Sequence, residues 1–96
     1  MEYDFHPNAR QELADAVAYY DSINRDLGNA FLDEVERTLE QIANYPAAWA
    51  KLSANTRRCR TVGFPYGIVY QVKGQQILIV AVMHLQRQPN YWTERI

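Results

Sequence analysis

Around Pro46 the spacing of apolar residues switches from helical to alternating, and that switch constrains the fold more than any other feature of the chain. Before it, Ala9, Leu13, Ala16, Val17, Tyr20 and Ile23 recur at intervals of three and four, as do Phe31, Leu32, Val35, Leu39 and Ile42. Pro7 precedes the first run, and Asn8 with Gln11 three residues on has the form of a capping box. The segment Asn24–Gly28 breaks the pattern, and Pro46 disfavours helical geometry at Tyr45. Two helices joined by a short loop predict an antiparallel hairpin. Its acids, Glu12, Asp15, Asp33, Glu34, Glu36 and Glu40, largely avoid the apolar stripe and are expected to face solvent.

After the irregular stretch 47–56 the period is two. Arg58, Arg60 and Val62 share one side of a strand, and Arg57, Cys59 and Thr61 the other. Phe64-Pro65-Tyr66-Gly67 turns the chain, Ile68, Tyr70 and Val72 alternate with Val69 and Gln71, and Lys73-Gly74-Gln75 offers a tight turn. From Gln76 to His84 both faces are apolar, Ile77, Ile79 and Ala81 on one and Leu78, Val80 and Val82 on the other. That predicts a central strand covered on both sides. The helical hairpin supplies one cover, and the carboxyl-terminal segment or a bound partner supplies the other. With Tyr3-Asp4-Phe5 as a short opening strand, the expectation is an α+β fold in which a two-helix antiparallel hairpin packs on a small, mainly antiparallel sheet in β-α-α-β-β-β order. No repeat or linker divides the chain, so residues 1–96 form one domain.

Composition narrows the function classes. No apolar run approaches the roughly 20 residues of a membrane span, and no membrane association is expected. The acidic start, Met1-Glu2-Tyr3-Asp4-Phe5, lacks the basic and apolar regions of a secretory signal. The lone Cys59 forms no internal disulfide and no zinc cluster. A reducing cytoplasm, without metal or cofactor, is the economical expectation. The net charge of −1 conceals an asymmetry. Residues 1–50 carry three arginines against ten acids, net −7, whereas residues 51–96 carry seven basic residues against Glu94 alone, net +6. Either the basic half meets an anionic partner, or the two halves satisfy each other across the fold.

Two motifs carry a resemblance. Residues 57–70, Arg-Arg-Cys-Arg-Thr-Val-Gly-Phe-Pro-Tyr-Gly-Ile-Val-Tyr, give an arginine strand, a Phe-Pro-Tyr turn and an Ile-x-Tyr strand. Residues 84–95 give His84-x-x-Arg87-x-Pro89-x-Tyr91-Trp92-x-x-Arg95. With Tyr19-Tyr20, Leu27-Gly28-x-x-Phe31 and Tyr45-Pro46 in the amino-terminal half, the chain resembles the RelE/ParE superfamily of plasmid-stabilisation toxins over nearly its whole length. The resemblance implies the growth-inhibiting toxin of a type II toxin–antitoxin pair, neutralised by a cognate antitoxin that wraps an extended or helical tail around it. ParE-like members inhibit DNA gyrase and catalyse nothing. RelE-like members are metal-independent ribonucleases that cut messenger RNA on the ribosome, and a degenerate relative would bind antitoxin without toxicity. The slightly acidic pI of 6.1 and the missing lysine cluster before Arg60 set this chain apart from the basic nuclease branch, so the expectation leans to gyrase.

In the RelE-like case the resemblance implies catalytic roles for Arg60, His84, Arg87 and Tyr91. Arg60, and next Arg87, would hold the phosphate through guanidinium donors that keep their charge at neutral pH. His84 has the proton-exchange chemistry of a general acid or base, and Tyr91 would stack on a base or donate a proton. The bland alternatives are ion pairs to the acidic helices, a backbone hydrogen bond for His84, and packing for Tyr91 and Trp92. For antitoxin or target binding the candidates are Arg57, Arg58, Arg60, Arg87 and Arg95, set around an apolar groove over the sheet. Arg57 and Arg58 point to opposite faces of a regular strand, so the two do not line one groove.

Overall fold

The computed structural model describes residues 1–96. Its elements are β1 (Glu2–Phe5), α1 (Pro7–Ile23), α2 (Arg25–Asn44), β2 (Ala50–Lys51), β3 (Thr56–Arg60), β4 (Tyr66–Lys73), β5 (Gln76–His84) and a final 3-10 turn at Thr93–Arg95. One sheet holds all five strands in the order β1-β5-β4-β3-β2. Only the β1–β5 pair is parallel. The expected hairpin on a mainly antiparallel sheet is present, with the two-residue β2 added inside the stretch read as irregular.

Local chemistry sets the helix ends. Pro7 occupies the first turn of α1, where a missing N–H costs nothing. The cap is His6 rather than Asn8: its Nδ1 accepts the Asn8 N–H at 3.1 Å. Gln11 instead donates to Asp15 at 2.8 Å. The interruption between the helices shrinks to Asn24, whose side chain accepts the Asp26 N–H at 2.7 Å and caps α2. Gly28 therefore lies inside α2. A Cβ there would fall 1.8 Å from Asp21 Oδ1, so the bare backbone is what lets the two helices meet so closely.

The main core lies between the helices and one sheet face, joining Phe31, Val35, Leu39 and Ile42 to Ile68, Tyr70, Ile77, Ile79 and Val82. A smaller core on the opposite face joins Val69, Val80, Ala81 and Met83 to Trp92, which is 2% exposed. The carboxyl-terminal segment is thus the second cover. Strict alternation grouped Ala81 with Ile77 and Ile79, and Val82 with Leu78 and Val80, and the structure exchanges the two. Tyr70 pairs with Ile79 and Val69 with Ala81, so two residues advance on β5 where one advances on β4. This bulge turns Val80 and Ala81 to the same side and shifts the later residues by one. At the other end of β5, Gly74 (φ 61°) opens a two-residue hairpin.

If Trp92 holds the outer core together, Trp92→Ala lowers stability by about 3–5 kcal/mol, as truncation of large buried aromatic residues does. A urea midpoint unchanged from wild type would show that this cover contributes little.

Candidate functional site

β1 ends at Phe5, opposite Ile79, and the His6 N–H makes the last bond to that side of β5 through Ile79 O at 2.9 Å. Past this point no strand continues along the β5 edge, where an unpaired backbone group out of water would cost free energy. A side-chain pair takes the strand's place. Glu12 Oε1 accepts the Val82 N–H at 3.0 Å, and Arg95 Nη1 donates to Val80 O at 3.0 Å. The two side chains also bind each other through both carboxylate oxygens, at 2.9 and 3.0 Å. Such two-point pairing fixes orientation as well as energy. Glu12 reaches β5 because it lies three residues after Ala9 and four before Ala16, the two buried small residues through which α1 approaches the sheet.

Two further sequence candidates converge on the same carboxylate. The Tyr91 hydroxyl donates to Glu12 Oε2 at 2.7 Å and Arg87 Nη1 donates to it at 3.2 Å. The Arg87 guanidinium also lies over the Tyr91 ring, 3.9 Å from its centroid. Burial, then the bond to Glu12, pushes the Tyr91 hydroxyl well above its ordinary value. The same carboxylate raises Arg95, so the phenol stays protonated and the guanidinium charged. Arg87, Tyr91 and Arg95 are therefore gathered by α1. Glu12 was placed with the solvated acids from sequence, yet it is the hub; the signal for it was the Ala9-x-x-Glu12-x-x-x-Ala16 spacing.

The other candidates are dispersed. Arg58 pairs with Val69, and the row Arg60–Gly67–Met83 runs across three strands, so Arg58 and Arg60 share the outer face with Val69 and Met83. Gly67 has a packing role here, since a Cβ would lie 2.8 Å from Arg58 Cδ and 3.3 Å from Leu85 Cδ2. Arg60 is exposed, and neither it nor Arg58 enters an ion pair. His84 is the exception: on the opposite face it lines one cleft with Glu12 and Arg87, its ring 5.1 Å from that of Tyr66, with Nδ1 accepting the Gln86 N–H at 3.1 Å. Arg57 stands on the helix side and donates to Trp49 O at 2.7 Å. Cys59 is buried, and burial raises its thiol, which removes it from nucleophilic chemistry.

A second carboxylate repeats the Glu12 device. Glu34 on α2 accepts the Val62 N–H at 2.6 Å and binds Arg37 through Nε at 2.8 Å and Nη2 at 2.6 Å. The Arg37 bonds hold its carboxyl below the usual range against the opposing effect of burial, with the Val62 amide adding to the shift. Asp15, Asp33, Glu36 and Glu40 are exposed as expected.

Comparison with known proteins adds a family match. The model of the family described as ParE toxin of type II toxin-antitoxin system, parDE, matches residues 3–89. Toxin ParE2 of Mycobacterium tuberculosis, in strains CDC 1551 / Oshkosh and ATCC 25618 / H37Rv alike, is 32% identical over 90 residues, which span 88% of this chain and 82% of that protein. Among solved structures, a chain described as chromosomal ParDE TA system from P. aeruginosa superposes with a TM-score of 0.75 at 17% identity, covering 90% of this chain and 97% of that one. That last likeness shows the shared fold.

Glu12→Gln strips the charge from a partner of Arg95, whose side chain is only 12% exposed, and is expected to cost about 3–5 kcal/mol. Arg87→Ala removes a pair whose arginine is 52% exposed and should cost less than about 1 kcal/mol. Denaturant titrations that rank the two variants the other way would refute the hub. Because the Glu34 carboxyl is lowered in the folded state, its contribution is present above the unfolded carboxylate value and lost as pH falls through the folded one. Glu34→Gln should flatten that acid limb of the stability profile; an unaltered limb would assign it to other groups.

Proposed function

The chain belongs to the ParE toxin family of type II toxin–antitoxin systems, and on that premise we propose that it slows bacterial growth by binding and inhibiting DNA gyrase, without catalysis of its own. One observation carries the choice of gyrase over messenger RNA. The residues a ribosome-dependent nuclease would need do not face one phosphate. Arg60 is on the outer face of the sheet, away from the cleft that His84 and Arg87 share on the helix side, and there Arg87 and Tyr91 are already bound to Glu12. General acid–base cleavage requires its groups within hydrogen-bond reach of one substrate. The hydroxyl of Tyr91 is moreover held protonated as a donor to a carboxylate.

The same geometry supports a contact surface. Arg58 and Arg60 are cations left without carboxylates on the outer face, which also carries a small apolar patch, the partly exposed Leu78 and Tyr91 packed on the buried outer core. Leu85, half-buried against Gly67, extends that patch. A mixed apolar and cationic surface fits a protein partner bearing acids, and the cognate antitoxin is proposed to neutralise the toxin by covering it. Arg87, at the rim and half-exposed, belongs to the same surface, whereas Arg57 stands on the other face of the sheet and Arg95 contributes through the fold.

Purified protein added to a gyrase supercoiling reaction should abolish supercoiling while leaving transcripts in a parallel translation reaction intact. Cut transcripts with normal supercoiling would replace this reading with the nuclease one. Arg60→Ala should relieve growth inhibition on induced expression while changing stability by less than about 0.5 kcal/mol, as exposed substitutions do; full toxicity in that variant would remove Arg60 from the contact surface.

A further inference from the structure

On the helix side of the sheet a second set of cations has no counter-charge. Lys51 on β2 pairs directly with Arg57 on β3, and Arg57 pairs with Tyr70 on β4, so the three side chains form one row across three strands. Like charges placed directly opposite on an antiparallel pair repel. The ion pairs of the protein are Arg37–Glu34, Arg87–Glu12 and Arg95–Glu12, and neither Lys51 nor Arg57 enters one. Tyr70 brings no negative charge either. Its hydroxyl donates to Pro46 O at 2.6 Å, and burial pushes it up to about 12. Arg57 Nη1 is fixed on Trp49 O at 2.7 Å, which orients the guanidinium without neutralising it.

The row lines a cleft of about 290 Å³ whose walls are Pro46, Ala47 and Val72. We propose that this cleft is a binding site for an anionic side chain, the carboxylate of an aspartate or glutamate in an acidic peptide partner. The carboxylate would sit between Lys51 and Arg57 while its methylene stem packs on Pro46 and Val72. A single negative charge on an apolar stem matches the lining. A phosphate matches it less well, because Pro46 and Ala47 lie two and three residues past the end of α2, where the negative end of the helix dipole opposes a dianion about twice as strongly as a single carboxylate. β2 is the edge strand of the sheet, so the cleft is open to a chain passing along that side. The site is separate from the Arg58–Arg60 face and stands whether or not gyrase is the target.

The test is a two-dimensional NMR titration of the full chain with three probes: an acetylated, amidated pentapeptide of alternating leucine and glutamate, its glutamine counterpart, and inorganic phosphate. The glutamate peptide should shift the amide signals of Lys51, Arg57 and Tyr70, with binding weakened by added salt. Lys51→Glu, at an exposed position, should weaken it about fivefold or more, and the spectrum itself reports whether that variant is folded. Equal binding of the glutamine peptide, or no shift at the row with any probe, would overturn the site. Binding of phosphate alone would overturn its assignment to carboxylates.

Discussion

A carboxylate that stands in for a strand is the constraint on which the rest of the structure depends. β5 is the most apolar strand, and beyond Phe5 nothing in the sheet pairs with its outer edge. Glu12 and Arg95 close that edge, and in doing so they fix three things together: the approach of α1, the path of the last residues, and the seating of Trp92 on the outer face. The charged pair is tolerated out of water because each carboxylate oxygen has several donors and the guanidinium has a carbonyl besides its acid.

This arrangement divides the positive charge of the carboxyl-terminal half into two populations. Arg87 and Arg95 answer an acid on α1, so part of the charge asymmetry is consumed inside the molecule. Lys51, Arg57, Arg58, Arg60 and Lys73 are not answered, and all but Lys73, which ends β4, lie along β2 and β3 at the opposite end of the strand order from β1. The reading in which the two halves satisfy each other therefore holds for Arg87 and Arg95 alone. The fold thus leaves cations without carboxylates on one flank of the sheet and uses the others to stabilise the opposite flank.

Much of the fold was legible in sequence because it rests on periodicity. The helical stripes through Ile23 and Ile42, the stop before Pro46 and the alternation after Thr56 are local patterns, and the resemblance over residues 57–70 and 84–95 pointed to the family that the comparison found. What was missed depends on distant partners. The bulge at Val80–Ala81 leaves no mark in a run where every residue is apolar. Glu12 and Glu34 look like surface acids until the amides of Val82 and Val62 are placed beside them. Two residues suffice for β2 only because β3 is there to receive them. The sequence candidates do not form a single constellation, since facing direction across a sheet separates Arg60 from His84.

The bonds that complete the domain join residues far apart along the chain. Glu12 finds its partners 70 to 83 positions downstream, and β1 aligns with β5. During translation β1 and the Glu12 carboxylate emerge long before β5 and Arg95 exist for them to bind. Contacts of such separation form late, because the loop between them must close first. The toxin's final architecture therefore waits until Arg95 has been made. A newly made molecule passes through an interval in which its arginine tail and its helical carboxylate are both still seeking partners, and in that interval its surface differs from the one it finally presents.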